Sequence, residues 1–318
     1  MVDPELVDRF RRDLSRLWPD LEETEQKIGL AVSGGPDSMA MLLLAHAAIP
    51  GRFEVATVDH GLRPEAREEC ALVERACDER CVPCEVLKVE VGGGHLQAKA
   101  REARYAALGN WAKRRSLAAV ATAHHADDQA ETLIMRLNRG AGVTGLAGIA
   151  PYLQLLPPAD TVLLRPVLDM TRAELASVLD AAGVEACMDP SNENTDFERV
   201  RIRQALSKAG LLDSPSVTRS AAHLRDADKA LWWASEQVWE ERVRRDGDTL
   251  RFAVLGPKAV RLRIIGFAMR HYRAFPDGGD EARLLERLER GENANLGGVL
   301  VRVEGDEWVF GPEPPRSS

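Results

Sequence analysis

Two short segments of the chain gather the residue types that chemistry needs. Ser33-Gly34-Gly35-Pro36-Asp37-Ser38 sets paired glycines among hydroxyl and carboxylate side chains. Glycines let the backbone turn sharply and approach an anion with no Cβ in the way. A helix that begins directly afterwards turns its free N–H groups and its dipole toward that anion. Ser33 and Ser38 supply hydroxyl donors, and Asp37 suits Mg²⁺ or the orientation of a reacting group. No Gly-Lys-Ser/Thr follows, so the loop is not the kind that places a lysine on the terminal phosphates of a nucleotide. The second segment, His124-His125-Ala126-Asp127-Asp128-Gln129-Ala130-Glu131, spaces Asp127 and Asp128 four and three residues before Glu131, so a helix brings the carboxylates to one face. Such a group binds Mg²⁺, holds an ammonium ion or takes a proton from an attacking amine. The plainer reading is a helix start whose acids favour the dipole.

These segments need a frame to bring them together. Short apolar runs at 28–32, 53–58, 84–89 and 117–122 read as buried strands, and 37–48, 64–80, 96–115 and 126–138 read as helices. Their alternation implies right-handed βαβ units, a parallel sheet and an α/β fold. Ligands of such sheets bind beyond the carboxyl ends of the strands, where both segments fall. A further strand at 161–164 and a helix at 172–182 follow. Near 210–216 the pattern changes to long helices at 217–245 and 258–273, with short strands at 300–303 and 308–310. The division expected is a catalytic domain over 1–212 and a smaller, mainly helical domain over 213–318.

The hexapeptide resembles the loop of the PP-loop ATP pyrophosphatases, in which it grips the pyrophosphate portion of ATP while a nucleophile attacks the α-phosphate. Further motifs carry the resemblance: Val58-Asp59-His60-Gly61-Leu62-Arg63, Ala100-Arg101-Glu102-Ala103-Arg104-Tyr105, the His124–Glu131 segment, and Met135-Arg136-Leu137-Asn138-Arg139-Gly140. So do Gly145-Leu146-Ala147-Gly148, Asp189-Pro190-Ser191-Asn192 and residues 199–203. Over about 28–206 the chain is similar to the tRNA(Ile)-lysidine synthases, with a weaker echo in Leu296-Gly297-Gly298. It departs from them at Val200, where the family usually has asparagine.

The resemblance implies an adenine-nucleotide hydrolase-like (PP-loop) fold, with ATP and Mg²⁺ as cofactors. It implies free L-lysine and a tRNA(Ile) bearing a CAU anticodon as partners. Lysine would be ligated to C2 of the wobble cytidine through an adenylylated intermediate. Asp37, Asp127, Asp128 and Glu131 would be catalytic. Ser33, Gly34, Gly35, Pro36, Asp37, Ser38, Asp59, His60, Arg63 and Arg104 would bind the nucleotide, and Asp37 and Asp128 the metal. Arg139, Arg201 and Arg203 are assigned to RNA. Arg263, Arg270 and Arg273 join them from an acid-free run at 251–276, in which Ile264 and Phe267 are expected on the opposite, inward face.

Bulk properties set bounds on these readings. A net charge of −8 over 318 residues argues against a surface coated for non-specific nucleic-acid binding, though not against a local basic face. No signal peptide or membrane-length apolar run is apparent, and a cytoplasmic protein is expected. Oligomeric state stays open, a homodimer included. Gly140-Ala141-Gly142-Val143-Thr144-Gly145 fits a dinucleotide fingerprint in letters alone, since it follows a predicted helix rather than a strand. The 5 cysteines raise one alternative. Cys70, Cys77, Cys81 and Cys84 invite Fe–S ligation and tRNA thiolation, but helical spacing favours small buried side chains.

Overall fold

The computed structural model describes residues 2–21, 23–59, 61, 65–89, 96–155, 157, 160–187 and 196–313. Two compact units divide the chain, Met1–Leu224 and Arg225–Ser318. In the first, α1 (Pro4–Leu17) precedes β1 (Ile28–Ala31), α2 (Pro36–Ala48), β2 (Phe53–Asp59), α3 (Glu65–Asp78), β3 (Cys84–Lys88) and α4 (Leu96–Arg114). There follow β4 (Val120–Ala121), α5 (Ala126–Asn138), the single turn α6 (Val143–Leu146), β5 (Tyr152–Leu155), β6 (Thr161–Leu164), α7 (Arg172–Ala182) and α8 (Glu198–Ala209). A long helix, α9 (Ser214–Arg242), contains the boundary between the units.

The strand order is β3-β2-β1-β4-β6-β5, parallel except for the antiparallel edge strand β5. This is the parallel-sheet α/β architecture that the alternation predicts. β1 is flanked by β2 on one side and β4 on the other, so consecutive connections diverge there. A crevice opens at such a switch point, beyond the strands' carboxyl ends. The loops leaving β1 and β4 are Ser33–Ser38 and His124–Asp128, which explains why segments 90 residues apart in sequence meet.

Core packing holds these loops in place. α2 is apolar nearly all round, with Met39 to Ala45 buried, because it is covered by the sheet, α1 and α7. On the other face α4 inserts Trp111, 1% exposed, against β1. Gly29 makes room for it, since a Cβ there would come within 2.3 Å of the indole.

The second unit keeps the predicted helices, α10 (Lys258–His271) among them, and carries more strand than its sequence suggests. Five antiparallel strands run in the order β7 (Val243–Asp246), β8 (Thr249–Ala253), β11 (Glu307–Pro312), β10 (Val299–Glu304), β9 (Ala294–Leu296). α11 (Gly278–Glu289) completes the unit. Phe252, Ile264, Leu285, Trp308 and Phe310 form its core. Leu296 pairs with Val299 across Gly297 and Gly298, both at positive φ, so that motif is a tight hairpin turn.

Candidate active site

The phosphate-type loop has the geometry its composition suggests. Gly34 adopts φ +85°, and a Cβ there would lie 3.1 Å from the carbonyl oxygen of Glu69. Gly35 caps α2 in extended conformation and Pro36 opens the helix, where its missing N–H costs nothing. The Ser38 hydroxyl accepts from the Ser33 N–H at 3.1 Å and donates to the Gly35 carbonyl at 2.9 Å, closing the loop on itself. The Gly34 carbonyl accepts from the Cys187 N–H at 2.9 Å. Ser33 is exposed at the crevice.

His125 is the centre of the site. Its ring is 1% exposed, with Nε2 3.4 Å from Asp37 and 3.6 Å from Asp128, and Nδ1 3.5 Å from Asp127. These are ion-pair separations, and neither nitrogen completes an aligned hydrogen bond. Burial opposes its charge, but Asp127, Asp37 and Asp128 outweigh it and push the imidazole up to about 9. A fixed histidinium therefore ties the first loop, through Asp37, to the start of α5. Burial resists ionisation of Asp37, yet His125 keeps its carboxyl below the usual range. Asp127 is held far lower by His125, and by the Arg172 N–H at 2.8 Å and the Ser214 hydroxyl at 3.1 Å. His124 behaves oppositely. Burial first, and then Arg165, Arg199 and Arg101, lower it to about 4 against the pull of Asp128, leaving a neutral ring 3.0 Å from the Thr122 hydroxyl.

Glu131 sits deeper, its side chain 3% exposed, clasped by arginines of α8 and α7. Arg199 Nε and Arg203 Nε each donate to it at 2.7 Å, and Arg172 approaches to 3.5 Å. Arg199 also reaches Asp128 at 2.8 Å. Although burial resists ionisation, these guanidiniums hold the Glu131 carboxyl low. The clasp involving Arg172 and Arg199, and the Ser214 contact, are features the sequence reading misses. Only the arginine spacing in 199–203 hints at them, and there it reads as an RNA contact.

The other predicted residues are less concentrated. Asp59 ends β2 and accepts from the Gly61 N–H at 2.8 Å, while His60 and Arg63 lie outside the described residues. So does the Asp189–Asn192 motif. Arg104 and Arg101 lie over the ring of Tyr105, at 5.4 and 4.9 Å. Arg139 pairs with Glu198, Arg201 donates to the Asp196 carbonyl, and Arg263 pairs with Asp228. α10 ends at His271, so Arg273, at φ +57°, leaves the helix face expected to hold it beside Arg263 and Arg270. Phe267 is not opposite the arginines. It shares their face, with Arg270 5.1 Å from its ring, while Ile264 turns inward as expected.

The Gly140–Gly145 stretch follows α5 and enters only α6, with no strand before it. Gly145 and Gly148 offer their carbonyls to Arg136, and Gln129 bonds both the N–H and the carbonyl of Ile149, so this motif braces α5. Cys70 and Cys77 are buried, as helical spacing suggests, while Cys81 is exposed. Among the described residues, no group of three or more His, Cys, Asp and Glu side chains is arranged to hold a metal ion.

With this geometry in view, a model of the PP-loop domain matches residues 6–209. The tRNA(Ile)-lysidine synthase of Novosphingobium aromaticivorans is 42% identical over 313 residues, covering 98% of this chain and 94% of that protein. That of Zymomonas mobilis is 36% identical, covering 91% and 89%. The chain belongs to the tRNA(Ile)-lysidine synthase family. Among solved structures, the U34-tRNA thiolase NcsA of Methanococcus maripaludis, with its [4Fe-4S] cluster, superposes with a TM-score of 0.56 at 17% identity. It covers 69% of this chain and 79% of that one, a likeness of fold alone. No helix among the described residues is long and apolar enough to cross a membrane.

Proposed function

We propose that this protein ligates L-lysine to the wobble cytidine of a tRNA(Ile) with a CAU anticodon, using ATP and releasing pyrophosphate and AMP. The observation that carries the reading is the contact of Asp37, from the phosphate-type loop, with His125, which opens the helix bearing Asp127 and Asp128. An anion-receiving loop and a cation-receiving carboxylate cluster thereby share one centre.

Division of labour follows from charge. Gly34, Gly35 and the N-terminus of α2 receive the pyrophosphate portion of ATP with fixed donors that favour its departure. Asp37 and Asp128 offer hard carboxylate oxygens to Mg²⁺, which commonly needs only one or two carboxylates beside the phosphates. Bound there, the ion would neutralise phosphate charge. Asp127, ionised and partly exposed, suits an ammonium better than it suits a base. The neutral ring of His124 can accept a hydrogen bond from the attacking amine. Glu131, fully engaged by arginines, positions Arg199 and Arg203.

The test is incubation with ATP, Mg²⁺, lysine and the CAU-bearing tRNA, followed by mass spectrometry of the digested nucleosides. A cytidine heavier by one lysine less water is expected. Pyrophosphate release without that nucleoside would retain the adenylylating site and refute lysine as the nucleophile.

A further inference from the structure

Two of the first unit's arginines assigned to RNA are already occupied: Arg139 pairs with Glu198, and Arg203 clasps Glu131. Cations free to meet phosphates lie on α1 instead. Its stretch Arg9-Phe10-Arg11-Arg12-Asp13-Leu14-Ser15-Arg16 sets four arginines against one acid, in a chain whose net charge is −8. Leu6, Phe10 and Leu14 recur at helical spacing and pack into the core, which leaves every arginine outside that stripe. A groove of about 670 Å³ opens along the outer arc, lined by Arg9, Arg11, Arg12 and Arg16, and the acids lining it are Asp13 and Asp169.

The four arginines are not equivalent. Arg9 is anchored, donating to Glu174 at 2.7 Å and to the Asp169 carbonyl. Arg16 pairs with Asp13 and keeps 71% of its side chain exposed. Arg11 and Arg12 are exposed, and among the described residues neither has a carboxylate within salt-bridge distance, although Asp8 lies one turn before them. A merely solvated helix face interleaves its signs in i, i+4 pairs. Here two adjacent guanidiniums are left over.

Position and chemistry say what fits them. Glu174, which Arg9 holds, caps α7 at its first turn, and Arg172 of that turn donates its N–H to Asp127. The groove therefore starts beside the candidate active site. Arg9 to Arg16 covers about 10 Å along the helix, the axial reach of about three phosphates of one strand. Guanidinium forks match phosphate oxygens in pairs. No large apolar side chain is exposed between Arg9 and Arg16, so the surface lacks the anchor that a protein partner would bury.

We propose that the outer face of α1, through Arg11, Arg12 and Arg16, grips the phosphate backbone of the tRNA stem next to the anticodon loop. This rests on the lysine-ligating reading for the identity of the RNA. The grip is electrostatic and blind to sequence, and it holds the stem while the wobble base enters the crevice.

The experiment measures binding of the CAU-bearing tRNA across a salt series for wild type, the double variant Arg11→Gln with Arg12→Gln, and Asp8→Lys. The double variant should weaken binding by about 10- to 30-fold near physiological salt and flatten the slope of log Kd against log salt by about 1.5. Its melting temperature and its KM for ATP should match wild type, since both side chains are exposed and unpaired. Asp8→Lys adds a cation to the same face and should tighten binding and steepen the slope. Unchanged affinity and slope in both variants would overturn the proposal. A raised KM for ATP with tRNA affinity unchanged would give the groove to a free nucleotide and overturn it as well. Failure of the lysine reading shows separately, as a tRNA bound with the expected slopes but never modified.

Discussion

At the scale of single residues, the site is organised by a histidine that its own acids keep charged. Removing it would leave Asp37, Asp127 and Asp128 repelling one another across a buried space. His125→Gln should therefore lower the rate of pyrophosphate release by about 100-fold or more, read in a tRNA-dependent assay. The same charge marks stability. Because the folded value of about 9 exceeds the unfolded 6.5, the contribution is complete below pH 6.5 and disappears as pH rises through 9. Thermal unfolding between pH 6 and 10 should show a gap between wild type and His125→Gln that is widest at the acid end and closes above pH 9. Glu131→Gln should cost about 2 kcal/mol in denaturant unfolding. The acid is buried, but Arg199 and Arg203 retain 39% and 27% of their exposure and soften the loss.

At the scale of elements, legibility followed the range of the interaction. β1, α2, α5, β6 and α7 are written in short apolar runs and helical periods, and Ala126–Asn138 is readable to the residue. β5 is not, because Tyr152 and Leu153 are exposed on an edge strand and leave no buried pattern. β7 is equally hidden at the end of the helix expected over 217–245, since Val243-Arg244-Arg245-Asp246 has too few apolar residues to show a period of two. The arginine clasp joins positions 68 and 72 residues apart, and no local spacing reveals which acid an arginine will meet. Likewise the acid-free run at 251–276 finds its acids elsewhere: Arg251 meets Asp246, Glu304 and Glu307, and Arg261 meets Glu289. Packing between elements is tight enough to test at one atom. Gly29→Ala drives a methyl into Trp111 and should destabilise the protein by about 1–3 kcal/mol, measured by denaturant titration.

For the molecule as a whole, charge governs how an RNA is approached. A protein of net charge −8 must present its cations locally, and several candidates are already neutralised by acids. Arg270 and Arg273 are exposed, and neither forms a salt bridge among the described residues. Reversing both to Glu should weaken tRNA binding and flatten its dependence on salt by about one unit per lost phosphate contact, measured by filter binding across a salt series. Reversing Arg263 should instead lower the melting temperature, because it replaces an ion pair with two like charges in a half-buried setting.

The glycine beneath the indole has a historical corollary. Residue 29 can gain a side chain only if residue 111 gives up volume, so neither position drifts alone. Across the lineage the pair should be inherited as one character. Descendants with alanine or larger at 29 should be those whose tryptophan had already been replaced by something smaller.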